Sequence, residues 1–212
     1  MKNVYFVRHG ETGSNRDRTH QGPNEPLTDL GRKQAEIVAD RLTRIPFDVI
    51  VASDLKRAHE TSMAISKKTG KEVVESPLFR ERKIVTELIG LPHKSLEAEQ
   101  IRSKVRARYD DPLWHYSDEE NFFDLRGRAK EAIAFLEHYP QDNIVVVTHG
   151  MFLTTLIGVL IEPDMTPTFW QHIHNFLVTT NTGITWCQKG HPHSEKPDTW
   201  QLISWNDHAH LG

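Results

Sequence analysis

The stretch Val4-Tyr5-Phe6-Val7-Arg8-His9-Gly10, residues 4–10, places a short apolar run directly before a charged side chain, an imidazole and a glycine. Residues 144–150 read Ile-Val-Val-Val-Thr-His-Gly and have the same form. Short apolar runs rich in β-branched residues that stop at a polar loop are typical of buried parallel strands. The sequence therefore predicts two such strands, each ending at a His-Gly pair.

Helical and strand patterns alternate along the rest of the chain. Capping residues, prolines and apolar spacing predict helices over residues 28–46, 53–70, 125–136 and 150–160, with Thr28 and Ser53 as caps. Further strands are predicted over residues 49–51, 176–180, 183–187 and 200–205. This alternation predicts an α/β fold with three layers (αβα) and a mostly parallel central sheet.

Residues 76–121 break the alternation. They carry prolines, mixed charge and weak periodicity, with one short helix indicated around residues 96–108. We interpret this segment as a small helical cap inserted into a single domain of residues 1–212, because 212 residues fit one α/β domain with a cap better than two domains.

Composition excludes some classes of function. The formal net charge is −3, so nothing global suggests a nucleic-acid or membrane partner, and any bound anion must meet locally placed cations. The single cysteine, Cys187, cannot form an internal disulfide, which favours a reducing compartment. The apolar run at Val4–Val7 is too short for a signal peptide. We expect a cytoplasmic protein, and no pattern indicates its oligomeric state.

Three strand ends carry the candidate chemistry. In an open α/β sheet, sites form at the carboxyl ends of central strands, so His9 and His149 are expected to face one crevice. Arg8 precedes the first histidine, and Arg57 lies in the first turn of the helix after the strand at residues 49–51. Two guanidinium groups, two imidazoles and a helix N-terminus favour a doubly charged anion.

Four blocks in this chain resemble those of the histidine phosphatase superfamily, also called the phosphoglycerate-mutase-like superfamily. The first reads Val-Arg-His-Gly-Glu-Thr at residues 7–12, followed by Asn15. The others are Leu-Thr-x-x-Gly-x-x-Gln-Ala at 27–35, Ser-Asp-Leu-x-Arg-Ala-x-Glu-Thr at 53–61 and Thr-His-Gly at 148–150. The order and spacing of the blocks resemble those of the family, whose fold is also layered α/β.

The resemblance implies a role for each matching residue. His9 would be the nucleophile, attacking phosphorus and forming a phosphohistidine. Arg8, Arg57 and His149 would hold the transferring phosphoryl oxygens and stabilise the transition state. The substrate-binding residues implied in addition are Asn15, which would donate to the phosphate, Gln21, Gly22 and Gly150. No metal or cofactor is implied, because the arginines neutralise the phosphate charge.

The general acid is assigned from a looser match to the family. The family places a glutamate after the third block, often in Leu-Arg-Glu, and residues 78–82 read Leu-Phe-Arg-Glu-Arg. We assign Glu81, with Glu87 as the alternative. The Gly-containing block that follows in many mutases is absent, which weakens a mutase assignment. Whether Arg82, Lys83 and Trp114 touch the substrate is left open.

The sequence thus predicts a phosphoric monoester hydrolase acting through His9. A mutase-type phosphotransferase and a non-catalytic phosphate-binding module are the alternatives. The substrate would be a small phosphorylated metabolite or a phosphoprotein. Histidine pairs at 172/174, 191/193 and 208/210 lack a cysteine cluster or a carboxylate at ligand spacing, so we predict no metal site there.

Overall fold

A computed structural model describes residues 1–190 and 198–212. Six strands form one mixed sheet: β1 (Lys2–Arg8), β2 (Val49–Ala52), β3 (Val73–Glu75), β4 (Asn143–Thr148), β5 (Ile184–Lys189) and β6 (Trp200–Asp207). Seven α-helices accompany them: α1 (Gly13–Asp17), α2 (Asp29–Leu42), α3 (Lys56–Thr69), α4 (Leu96–Arg106), α5 (Phe122–His138), α6 (Gly150–Ile161) and α7 (Pro167–Phe176). None of these helices is long and apolar enough to cross a membrane.

The strand order is β3-β2-β4-β1-β5-β6. The first four strands are parallel, while β5 and β6 run antiparallel to their neighbours. In this register Arg8 of β1 lies beside Thr148 of β4, and Ala52 of β2 lies beside Val147. The carboxyl ends of β1, β2 and β4 therefore meet at one edge, and the prediction of a mostly parallel sheet is confirmed.

Apolar side chains cover both faces of the central strands. Val4 and Phe6 of β1 pack with residues of α5 and α6, whereas Tyr5 and Val7 point to the opposite face and pack with residues of α2 and α3. Successive side chains of a strand alternate between the faces, so a strand that is apolar throughout must be covered on both sides. The three-layer αβα prediction is confirmed.

The segment between β3 and α5 contains two short 3₁₀ turns, α4 and a small core of its own, formed by Val85, Leu88, Ala98 and Ile101. Its backbone is bonded to the loop that follows α1: His20 N–H donates to Leu91 O at 2.9 Å, and Gly90 N–H donates to His20 O at 2.8 Å. This segment is the helical cap of the fold. That the whole chain is one domain stays a prediction.

Three details of the predicted elements are wrong. Residues 176–180 do not form a strand, because α7 runs to Phe176 and an irregular segment follows. The helix that starts at the predicted cap Thr28 ends at Leu42, before the proline. Ser53 does not cap α3, whose N-cap is Leu55 with no side-chain capping bond; the Ser53 hydroxyl lies at the sheet edge instead.

Candidate active site

The two histidines lie together at the carboxyl edge of the sheet. The ring centroids of His9 and His149 are 5.0 Å apart, and both side chains are buried. His9 follows β1 and His149 follows β4, and the backbone N–H of His9 donates to Thr148 O at 2.9 Å. The parallel pairing of these strands is thus what brings residues 140 positions apart into one crevice.

The His9 ring has one defined tautomer. Its Nδ1 lies 2.7 Å from the carbonyl oxygen of Gly10. A carbonyl can only accept, so Nδ1 carries the proton and Nε2 keeps its lone pair. Burial, followed by the positive charges of Arg57 and Arg8, holds the pKa of His9 well below 6.5. The ring is therefore neutral at physiological pH, with one free nitrogen.

His149 has the opposite tautomer. Arg57 Nε donates to His149 Nδ1 at 3.2 Å, which requires that Nδ1 accept and that Nε2 hold the proton. Nε2 then donates to the Ser53 hydroxyl at 2.8 Å. Burial and the charge of Arg57 hold the pKa of His149 well below 6.5.

Two guanidinium groups lie beside these rings without a carboxylate partner among the described residues. Arg57 is 1% exposed and donates to Gly22 O at 2.9 Å. Burial lowers its pKa to about 10, so it stays charged at neutral pH. Arg8 donates to Thr179 O at 2.6 Å, while its buried Nε has no partner within the described part of the chain. Buried donors of this kind call for an acceptor, and an anion supplies one.

The side chain of Glu81 lies beside the N-terminus of α6. Its two carboxylate oxygens accept the backbone N–H groups of Met151, at 3.1 Å, and Phe152, at 2.9 Å. Burial lowers the pKa of both Arg8 and Arg57, and the Glu81 carboxylate partly offsets this, which places it near the two guanidinium groups. Glu87 is exposed, and its side chain contacts Tyr116 Oη at 3.5 Å. Of the two candidate acids, Glu81 is the one that lies near Arg8 and Arg57.

The remaining predicted binding residues lie close to Thr12 or Arg8. Asn15 uses only its Oδ1, which accepts from Thr12 N–H at 3.3 Å, so its amide group has no acceptor among the described residues. The amide of Gln21 donates to the hydroxyl of Thr12. Gly150 lies under the Arg8 side chain: an added Cβ would come within 3.3 Å of Arg8 Nε and 2.8 Å of Thr179 Oγ1. A larger residue at this position would force Thr179 or Arg8 to move.

Sequence reasoning missed three residues that hold the histidines. Asn181 Nδ2 donates to His9 O at 2.9 Å and to Asn15 Oδ1 at 3.1 Å. Thr61 Oγ1 accepts from Gly10 N–H at 3.1 Å, and Ser53 accepts from His149. Ser53 and Thr61 both lie in the third sequence block, residues 53–61, and this position could have indicated that they belong to the site. Asn181 lies outside all four blocks, so no motif in the sequence pointed to its role.

The histidines of the three pairs make separate contacts or fall outside the described residues. Burial lowers the pKa of His174, and the nearby Glu81 carboxylate partly offsets this. His174 stacks on Trp170 with centroids 5.4 Å apart, and His210 Nε2 lies 3.3 Å from Thr182 Oγ1. His191 and His193 fall in the part that is not described. Within the described ranges, no three His, Cys, Asp or Glu side chains are grouped as potential metal ligands.

Comparison with known proteins identifies the family. The family description "histidine phosphatase superfamily (branch 1)" matches residues 4–208. The chain belongs to the histidine phosphatase superfamily. This histidine phosphatase family member is 32% identical over 164 residues, 76% of the chain and 75% of the relative, to a probable phosphoglycerate mutase, GpmB, from Photorhabdus laumondii.

Two solved structures extend the comparison. A mycobacterial glucosyl-3-phosphoglycerate phosphatase in complex with VO3 superposes with a TM-score of 0.76 at 25% identity, covering 97% of this chain and 99% of that one. A phosphoserine phosphatase variant from Entamoeba histolytica, in complex with phosphoserine, superposes with a TM-score of 0.76 at 26% identity, covering 100% of both chains. The fold is therefore that of the histidine phosphatases, in which both phosphatases and proteins named as mutases occur.

Proposed function

We propose that the protein is a metal-independent phosphatase that hydrolyses a phosphate monoester through a phosphohistidine on His9. The observation that carries the proposal is the His9 ring: buried, neutral and bonded through Nδ1 to Gly10 O, with Nε2 free beside two guanidinium groups that lack carboxylate partners. A neutral imidazole with a fixed tautomer is a competent nucleophile toward phosphorus. The two arginines supply the charge neutralisation that other phosphatases take from metal ions.

In the first step, the Nε2 lone pair forms a bond to phosphorus while the bond from phosphorus to the ester oxygen breaks. The leaving oxygen takes a proton from Glu81. In the second step, the Glu81 carboxylate removes a proton from water, the water oxygen bonds to phosphorus, and the P–N bond to His9 breaks. Inorganic phosphate leaves, and Glu81 again holds the proton. One carboxyl group thus serves as acid and then as base.

The supporting groups hold the phosphoryl oxygens. Arg8 offers its unpartnered Nε, and Asn15 offers its amide group. Before phosphate binds, burial and then the charges of Arg57 and Arg8 keep His149 neutral. A bound phosphate offsets those charges, which favours a proton on Nδ1 of His149. Nδ1 then no longer accepts from Arg57, so Arg57 Nε–H and His149 Nδ1–H both donate to phosphoryl oxygens, while Nε2–H stays bonded to Ser53.

The comparisons support two readings of the overall reaction. The two solved neighbours are named as phosphatases, each for a small phosphorylated metabolite, whereas the curated relative is named as a probable mutase. We favour hydrolysis of a small phosphorylated metabolite. A mutase must protect its phosphoenzyme from water. Release of inorganic phosphate at the turnover rate, with no added acceptor, is expected of a phosphatase and would argue against a mutase.

The test is hydrolysis of para-nitrophenyl phosphate in the presence of EDTA. Wild type should turn over, and His9→Ala should lose activity at least a thousandfold. A matched control is His59→Ala, a surface histidine on α3 that contacts Glu75. Equal activity in His9→Ala and wild type would refute the proposal, as would tight vanadate binding by a wild-type protein that turns over no ester.

A further inference from the structure

A second cavity adjoins the candidate active site. It has a volume of about 560 Å³ and lies between the cap and α7. Three of its lining residues are sequence neighbours of site residues: His20 precedes Gln21, Arg82 follows Glu81, and Met151 follows Gly150. The cavity therefore borders the site on the side of Glu81, where the leaving group departs. Its volume far exceeds what a phosphate needs.

The wall of this cavity carries three guanidinium groups. Arg82 is held by a bond from its Nε to Glu120 O at 3.0 Å and lies over the ring of Trp170 at 5.7 Å. No carboxylate of the described residues forms an ion pair with Arg82. Arg102 and Arg106 share a single carboxylate, Glu99, at 2.5 and 3.5 Å. The arginine charges thus outnumber the carboxylates that pair with them.

Other lining groups cancel only part of this charge, because one carboxylate faces three guanidinium groups. The one acidic lining residue, Glu119, is buried and accepts backbone N–H groups from Tyr116 and Ser117 at 2.8 and 2.9 Å. His20 adds no positive charge at neutral pH, because burial lowers its pKa to about 4. The opposite wall is apolar and includes Val85 and Leu88. A ligand that suits this cavity has an apolar body and an anionic end.

Lys83, the cation next to Arg82 in the sequence, does not line the cavity. Sequence alone left both Arg82 and Lys83 open as substrate contacts. Lys83 is exposed, pairs with Asp118 at 3.3 Å and does not line the cavity. Trp114 also lies outside it and packs under Arg108. Of these three residues, only Arg82 faces the space next to the site.

We propose that this cavity binds a second anionic group, a carboxylate or a phosphate, carried on the leaving group of the substrate. The proposal rests on the proposed function, since it assigns the reacting phosphate to the pocket at His9. Arg82 is the principal contact, and Arg102 and Arg106 add to it. The substrate is thus a phosphate monoester with an apolar middle and a second negative end.

The test measures binding in the His9→Ala protein, so that turnover does not consume the probes. The probes are aryl phosphates with one or two rings that end in a carboxylate, a phosphonate or an uncharged carboxamide of similar size. Calorimetry gives Kd for each. We expect the charged probes to bind at least tenfold more tightly than the carboxamide at one of the two lengths, as for one charge-assisted hydrogen bond.

Second-site variants in the same background locate the contact. Arg82→Gln should reduce the preference for charge to threefold or less, and Arg106→Gln, on the exposed side, should reduce it in part. Lys83→Gln is the control and should keep it. The ratio of Kd values cancels any general weakening. The inference would be overturned if neither probe length showed a preference for the charged end, or if all variants showed the same preference. A preference for charge in a protein whose wild type turns over no ester would instead refute only the proposed function.

Discussion

His9 and His149 are chemically alike but hold their protons on different ring nitrogens. A carbonyl oxygen accepts from Nδ1 of His9, whereas a guanidinium donates to Nδ1 of His149. The first arrangement frees Nε2 for attack, and the second ties Nε2 to Ser53. One ring is thereby prepared as a nucleophile and the other as a support, and the difference comes from single hydrogen-bond partners.

The choice between two glutamates gives a prediction for single residues. Glu81→Gln should lower kcat about 10²–10⁴-fold on an alkyl phosphate, whose leaving oxygen needs a proton. The loss should be much smaller on para-nitrophenyl phosphate, whose leaving group departs without one. Glu87→Gln, at an exposed position, is the matched control and should behave as wild type on both esters. A larger loss for Glu87→Gln would reverse the assignment.

For single residues, the sequence predicts those site residues whose position follows from the strand or helix next to them in the chain. His9 and His149 follow apolar runs, and Arg57 follows a strand by one helical turn, so all three could be placed at one sheet edge. Asn181 could not be placed there. It lies in a loop 172 residues after His9, and its bonds to His9 O and Asn15 depend on how that loop folds back. Such contacts exist only in the folded molecule.

Among the elements, the start of α6 packs closely against the side chains of Arg8 and Thr179. Gly150→Ala would put a Cβ 2.8 Å from Thr179 Oγ1 and 3.3 Å from Arg8 Nε, and so displace the guanidinium. We expect kcat/KM to fall at least tenfold. Gly127→Ala is the control: it lies in α5 with nothing within 4 Å of the new Cβ, and should stabilise the fold by about 0.5–1 kcal/mol.

Steady-state kinetics and denaturant titrations of both glycine variants check this prediction. Wild-type activity in Gly150→Ala would mean that Arg8 does not need its present position. Loss of activity in Gly127→Ala would mean that the effect is not specific to α6.

The elements that sequence predicts best are those buried on both sides. Residues 4–7 of β1, residues 144–147 of β4 and most of α6 are apolar, and their patterns are unambiguous. The predicted strand over residues 176–180 is wrong: the bulky residues from Phe176 to Thr180 favour a strand, but α7 extends to Phe176 and an irregular segment follows. The start signal of α7, Thr166 followed by Pro167 at the first helical position, was present but not used.

For the whole molecule, buried neutral histidines predict how stability depends on pH. The pKa values of His9 and His149 lie well below 6.5, and that of His20 is about 4. The unfolded chain takes up protons at these residues near pH 6.5, whereas the folded chain does not. The free energy of unfolding should therefore fall as pH drops from 7 toward 5.5, by on the order of 1 kcal/mol per pH unit for each fully buried histidine.

Urea titrations in phosphate-free buffer at pH 7 and 5.5 measure this change, in a range where carboxylates contribute little. His20→Gln should weaken the dependence, and His208→Gln, at an exposed position, should leave it unchanged. A free energy of unfolding that stays constant or rises between pH 7 and 5.5 would contradict the neutral state of the buried rings.

For the whole molecule, the cap and its cavity are the parts that the sequence predicts least well. Residues 76–121 have weak periodicity because their small core includes only Val85, Leu88, Ala98 and Ile101 among the buried residues. The arginines that line the cavity lie on both the loop after Glu81 and α4, and only the packing of the cap turns them to one space. Charge counted along the sequence does not reveal that arrangement.

The most direct measurement is to trap the phosphoenzyme by rapid quenching during turnover of a ³²P-labelled monoester. Attack by His9 Nε2 predicts a label that survives alkali, is lost in acid, maps to the peptide containing His9 and is absent from His9→Ala. A label that survives acid but is lost in alkali, or a fully labelled His9→Ala protein, would contradict the mechanism.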